Sequence, residues 1–218
     1  MPELPEVETV RRGIAPTLVG RRLLGALVRE PRLRWPVPDD LDACVRGRRI
    51  TGIDRRGKYL LLHLEPAGAL ILHLGMSGSV RLVDPASAPE KHDHIDLLVD
   101  AGPSLRLRDP RRFGALLYAE SPLTHPLIAR LGVEPLSAQF DGARLFALTR
   151  GRRCAIKSLL MDAGLLVGVG NIYANESLYH ARIHPDTPAG RLTRARCACL
   201  AEAIRHTLER AIERGGST

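Results

Sequence analysis

SPLTHP, residues 121–126, divides this chain of 218 residues into two textures. Before it, from about residue 22 to 118, short apolar runs at 59–64 and 69–74 are broken by Gly, Pro and Asp. "HIDLLVD" (94–100) and "SLRLRD" (104–109) continue the pattern. Short apolar runs bounded by turn residues read as β-strands. After it, apolar residues recur at helical spacing over 122–131, 137–148, 156–163, 172–181 and 193–214. Strands first and helices later predict an α+β chain. The expected division is a β-rich domain over 1–120, a linker region over 121–136 and a helical domain over 137–218. There is no internal repeat and no low-complexity tract.

The N-terminus, MPELPEVETV, reads as a helix start. Val7, Val10, Ile14 and Leu18 share one face of a helix over 6–19, and Gly20 is the stop. Pro5 suits the first turn, and Glu6 and Glu8 favour the positive end of the helix. Removal of Met1 would expose the secondary amine of Pro2. An α-amino group titrates near pH 8, so a useful fraction is neutral and nucleophilic at pH 7. Attack on an aldehyde carbon yields an iminium ion with no N–H to lose, hence a persistent electron sink. Glu3 lies beside it as a proton shuttle. A plain Pro-Glu helix start accounts for the same residues, and chemistry alone leaves both readings open.

The net charge of +8 points to a polyanionic partner. The charge is concentrated in three runs. Arg46, Arg48, Arg49, Arg55, Arg56 and Lys58 form the first; Arg106, Arg108, Arg111 and Arg112 the second; Arg144, Arg150, Arg152, Arg153 and Lys157 the third. They are expected to wall a nucleic-acid groove. Only Lys58, Lys91 and Lys157 are lysines among the 32 basic residues. A lysine kept in an arginine-rich chain can do what arginine cannot: lose its proton at an accessible pKa.

Cys44, Cys154, Cys197 and Cys199 contain no Cys-x-x-Cys pair, and "KHDH" around His92 has no fitting partner, so no metal site is expected from these residues. No charged-then-apolar leader opens the chain, and no apolar run approaches membrane-spanning length. A soluble, reducing, cytoplasmic setting is expected, with no membrane partner.

"PELPEVETVRRGI", "RRGKYLLLHL", "HLGMSGSVR", "EKHDHIDL", "DPRRFGAL", "LGVEPL", "AIKSLLMD" and "VGVGNIYANESLYHARIHP" occur in this order between residues 2 and 185, and "IERGGST" closes the chain. Together they resemble the motifs of the formamidopyrimidine-DNA glycosylases. Leu4 separates the chain from the related endonuclease VIII type, which usually opens Pro-Glu-Gly-Pro-Glu. The resemblance implies an N-terminal β-sandwich-like domain with flanking helices, then a helical domain with a helix–two-turns–helix motif. It implies a monomeric base-excision-repair enzyme, both glycosylase and AP lyase. Its partner would be double-stranded DNA carrying oxidised purines (8-oxoguanine, formamidopyrimidines) or abasic sites.

Residue by residue, the resemblance makes Pro2 the nucleophile that forms a Schiff base, Glu3 the proton donor to the opening sugar ring, and Lys58 the proton donor in strand cleavage. Met76, Arg111 and Phe113 match the residues that fill the gap left by an everted base. His73, His92, Arg111, Arg152 and Asn171 match DNA contacts. Gly168 and Gly170 permit a tight turn before a helix that Asn171 is expected to cap, with its N-terminal N–H groups offered to a phosphate. The family continues into a lesion-capping loop and a zinc finger with two Cys-x-x-Cys pairs. The sequence stops at Thr218, so the Zn2+ of full-length relatives has no ligands among these residues, and slow excision by this chain is expected. The alternatives are a weakly active or non-catalytic DNA-binding fragment, or an oxidised-pyrimidine glycosylase of the endonuclease VIII type.

Overall fold

A computed structural model describes residues 2–216. They form two compact units, one of Pro2 and Val7–Ile128, the other of Glu3–Glu6 and the chain from Ala129 onward.

The first unit contains most of helix α1 (Leu4–Leu18), strand β1 (Leu23–Val28), helix α2 (Leu41–Val45) and strands β2 (Arg49–Arg56), β3 (Tyr59–Glu65), β4 (Ala69–His73), β5 (Ser79–Val83), β6 (Asp93–Val99), β7 (Ser104–Arg108) and β8 (Ala115–Ala119). The strands make two antiparallel sheets, ordered β2-β3-β4-β8 and β1-β6-β7-β5. Leu60, Leu62, Leu70, Leu72 and Leu116 from one sheet join Ile95, Leu97, Leu105 and Leu107 from the other in a single apolar core. Val7, Ile14 and Leu18 of α1 and Leu41 and Val45 of α2 join the same core. The helical stripe read in the sequence is thus the buried face of α1. Helix α2 was not anticipated; at five residues it is too short to leave a periodic signal.

The second unit holds α3 (Pro126–Ala129) only at its edge, then α4 (Gly142–Thr149), α5 (Ile156–Leu160), α6 (Asn171–His180) and α7 (Arg194–Glu213). Leu145, Ile156, Leu160, Tyr173, Leu178, Leu200, Ile204 and Leu208 lie at its centre. Three helices differ from expectation. The run over 122–131 breaks into a 3-10 turn, Pro122–Thr124, and α3. Pro126 has no N–H to continue the first turn and holds His125 extended, at φ −60° and ψ 136°. The run from 137 becomes helical only at Gly142, where the Asp141 carboxylate accepts from Arg144 N at 2.7 Å. The carbonyls of Ser137 and Phe140, outside the helix, accept from Arg205 Nη2. Helix α5 stops at Leu160, before a turn in which Asp162 Oδ1 accepts from Gly164 N at 2.9 Å.

The expected basic walls need correcting. Arg106 is 2% exposed and grips Asp96 through two hydrogen bonds of 2.8 Å, Nε to Oδ1 and Nη2 to Oδ2. Strand register puts Arg106 directly opposite Asp96, so this is a buried ion pair and not a groove wall. Arg46 is committed to Asp42 and the Leu24 carbonyl, Arg48 to the Ala67 carbonyl and Tyr118 Oη, and Arg55 to Glu8. These arginines close loops of their own unit.

Candidate active site and nucleic-acid interface

Within the second unit, residues Glu3–Glu6 are stitched to the start of α6. Glu6 Oε2 accepts from Glu3 N at 2.8 Å, one half of a capping box on α1. The Glu3 carboxylate, 2% exposed, turns to α6 instead of its own helix. Oε2 accepts from Gly170 N at 2.7 Å and Tyr173 N at 3.5 Å, and Oε1 from Ile172 N at 3.0 Å. Tyr173 Oη donates to Glu6 Oε1 at 2.5 Å, and Leu4 N donates to Gly168 O at 3.0 Å. Gly168 is required here: its φ is +82°, and a Cβ would sit 2.7 Å from Leu4 Cδ1. The helix N-terminus therefore does bind an anion, but the anion is the Glu3 carboxylate. Gly170 stands at the cap position with no side-chain cap, and Asn171 is the first helical residue rather than the cap. Pro2, half-buried, is held next to Glu3 by the peptide bond. Met1, whose removal the Pro2 chemistry needs, lies outside the described residues, as do Ser217 and Thr218.

Lys58 sits in the two-residue turn between β2 and β3, behind Gly57 with φ +58°. Its neighbour Tyr59 pairs with His73 across β3 and β4, ring centroids 4.7 Å apart. Burial pushes the His73 pKa down to about 4, and the charges of Lys58 and Arg34 push the same way. Its Nδ1 accepts from Gly75 N at 3.0 Å. The neutral ring then carries its proton on Nε2, a donor suited to a phosphate oxygen.

Glu8 sits under Arg11, Arg12 and Arg55 in the same unit. Burial raises its pKa, but hydrogen bonds from Arg11 and Arg12 and the charges of Arg11 and Arg55 outweigh that, bringing it from 4.5 to about 2. Both shifts are depressions, so both groups contribute stability that is lost on acidification. His73 loses its share between pH 6.5 and about 4, and Glu8 between pH 4.5 and about 2. Thermal unfolding of the first unit is expected to weaken in those two stages. His73→Gln should remove only the earlier one; an unchanged profile in that variant refutes the assignment.

The structure brings Met76, Arg111 and Phe113 together on two braced loops. Met76 is 39% and Phe113 42% exposed, and the Arg111 guanidinium lies 4.8 Å over the Phe113 ring. Gly75, at φ +64°, lets the loops touch, for a Cβ there would meet the Phe113 carbonyl carbon at 2.4 Å. The brace is Asp109, fully buried. Its Oδ1 accepts from Ser77 Oγ at 3.0 Å and its Oδ2 from Gly114 N at 2.7 Å; Ser77 Oγ in turn accepts from Arg111 N at 3.2 Å. In the sequence Asp109 stands alone among the arginines of the second basic run, and an acid before Pro in a turn is a signal for such bracing. Asp109→Ala should cost about 2–4 kcal/mol, from two orphaned donors at about 1–2 each. Thermal unfolding and proteolysis of the 74–78 and 109–114 loops would check it, and unchanged loop protection would refute the brace.

His92 lies in the first unit with φ +76°; slight desolvation and the charges of Lys91, His94, Arg108 and Arg112 lower its pKa. Arg152 and Asn171 belong to the second unit, both exposed, and Arg152 Nε donates to Leu148 O at 3.0 Å.

Comparison with known proteins matches residues 1–116 to the formamidopyrimidine-DNA glycosylase N-terminal domain and residues 131–218 to the formamidopyrimidine-DNA glycosylase H2TH domain. The chain belongs to the formamidopyrimidine-DNA glycosylase family. The family's curated members include the Stutzerimonas stutzeri formamidopyrimidine-DNA glycosylase, 58% identical over 218 residues, which are 100% of this chain and 80% of the relative. The Syntrophotalea carbinolica enzyme is 55% identical over 219 residues with the same coverage. Among solved structures, Lactococcus lactis Fpg bound non-covalently to DNA containing an AP site matches with a TM-score of 0.91 and 34% identity, over 99% of this chain and 83% of that one. The Fpg (MutM) protein of Thermus thermophilus matches with a TM-score of 0.89 and 41% identity, over 100% and 78%. The α+β architecture expected from the sequence is thus that of formamidopyrimidine-DNA glycosylases, including the helix–two-turns–helix domain.

The zinc that the family resemblance implies does not fit the cysteines present. Cys197 is buried and Cys199 exposed on α7, so they face opposite ways and do not converge on one ion. Among the described residues no cluster of three or more His, Cys, Asp or Glu could hold a metal, and no helix is long and apolar enough to cross a membrane.

Proposed function

We propose that this DNA glycosylase removes oxidised purines from duplex DNA through a Schiff base on Pro2 and then cleaves the strand as an AP lyase. The observation that carries the reading is the buried Glu3 carboxylate, fixed by the α6 amides in the residue next to Pro2. The Pro2 nitrogen bonds to the sugar C1′, and the damaged base leaves with the electrons of the glycosidic bond. The sugar ring opens at O4′, which takes a proton through Glu3. The resulting iminium draws electrons from the C2′–H bond as that proton is removed, and the 3′-phosphate departs with the C3′–O bond pair. Lys58 supplies a proton in this cleavage phase. Met76, Arg111 and Phe113 fill the space of the everted base, with Arg111 facing its unpaired partner, which offsets part of the few kcal/mol that eversion costs. His73, His92, Arg152 and Asn171 hold the backbone.

Lys58→Arg keeps the charge and loses the deprotonable amine. Cleavage of lesion DNA is expected to fall at least about tenfold, roughly 1.4 kcal/mol of barrier, with a smaller change in duplex affinity. Equal losses in both would make Lys58 a phosphate anchor. Borohydride trapping on abasic-site DNA separates this enzyme from a DNA-binding fragment, because only a reactive Pro2 leaves a covalent adduct. Excision of oxidised pyrimidines in preference to 8-oxoguanine would instead favour the endonuclease VIII type.

A further inference from the structure

Most arginines of the first unit are committed to a carboxylate or a carbonyl. Arg34 is not: it is exposed, its guanidinium lies 4.8 Å over the Trp35 ring, and no acceptor takes a hydrogen bond from it among the described residues. It borders a concavity of about 530 Å³ lined by Arg32, Arg34, Arg111, Arg112 and Phe113. Glu30 is the carboxylate tied to these arginines, accepting from Arg32 Nη2 at 2.7 Å and from Arg112 Nη1 at 3.2 Å. Four guanidinium groups thus share one hollow with one carboxylate beside it. Their mutual repulsion opposes folding, and among the described residues no carboxylate pairs with Arg34 to relieve it. Arg112 is also held at φ +57°, a conformation that is costly for a residue other than glycine. An arrangement of this kind is stabilised when a polyanion enters it. Arginine forks match phosphate geometry, and the Phe113 face beside them is the insertion wedge of the proposed function.

We propose that Arg32, Arg34 and Arg112 form a phosphate-binding cup that holds the backbone of the undamaged strand beside the insertion loops. The inference rests on the DNA reading above, and the choice of strand follows from Arg111, which shares the cup and faces the unpaired base. The cup positions duplex DNA on the wedge; it takes no part in bond breaking.

Arg34→Gln is the decisive variant, because Arg34 has no hydrogen-bond partner among the described residues, so its loss breaks no hydrogen bond or ion pair and thermal unfolding should show the unit still folded. Affinity for a duplex carrying an abasic-site analogue would be measured between about 50 and 200 mM salt. The slope of log affinity against log salt should become shallower by about 0.9, the value of one phosphate contact. Single methylphosphonate linkages, which are neutral, would then be placed near the gap in either strand. One in the undamaged strand should weaken the wild-type chain and leave Arg34→Gln unaffected. An unchanged salt slope, or a matching insensitivity found only for the damaged strand, overturns the proposal. Wild-type borohydride trapping, run alongside, tests the catalytic reading separately: a chain that binds duplex but does not trap overturns that reading and leaves the salt slope to decide on the cup.

Discussion

An N-terminal extension that leaves Pro2 inside a peptide bond is expected to abolish borohydride trapping and to slow base excision by at least about a thousandfold, roughly 4 kcal/mol of barrier. The amide nitrogen so created has its lone pair delocalised into the carbonyl and does not attack C1′. Pro2 is half-buried and followed at once by Glu3, whose backbone N–H is already bonded to Glu6. Duplex binding should change far less, since the basic and aromatic residues of the insertion loops are untouched. Trapping retained by a homogeneous extended protein, with mass spectrometry placing the adduct elsewhere, would end the secondary-amine mechanism.

Glu3→Gln should be costly twice over. The Glu3 carboxylate accepts from three backbone N–H groups at the start of α6. Glutamine offers one acceptor oxygen and points an NH2 at donors, so charge-assisted bonds are lost and at least one buried N–H is orphaned. A destabilisation of about 2–4 kcal/mol follows, about 8–32 °C in the melting of a unit this size. Excision should fall as well, because Gln cannot carry a proton to O4′. Glu3→Asp separates the two effects: it keeps the charge but shortens the reach to Gly170. A Gln variant as stable as the wild type would show that the α6 amides do not depend on the carboxylate.

The local alphabet of the chain was legible without coordinates. Apolar periodicity is written into neighbouring residues, so the buried stripe of α1, the strands at 59–65 and 93–99 and the long α7 could be read from their own segments. The motif Pro2-Glu3, the glycines at 168 and 170 and the loop residues Met76, Arg111 and Phe113 were likewise visible, because special residue types mark special backbone. Helix ends were less legible: they depend on which donor finds which cap, as at Asp141 and Pro126.

What an arginine or a carboxylate is for was decided only by the tertiary structure. Arg106 and Arg111 stand five positions apart in one basic run, yet strand register turns the first onto Asp96 in the interior while the loop leaves the second over Phe113 at the surface. Glu3 reads as a helix-start acid until the fold brings it to amides 167 and more residues away. Asp109 reads as a lone acid in a basic run until Ser77 and Gly114 converge on it. The physical reason is range. Secondary structure follows from contacts three or four residues apart, which a sequence displays, whereas the partner of a charge is chosen by register and loop packing between distant segments, and charge alone is the same letter in both places.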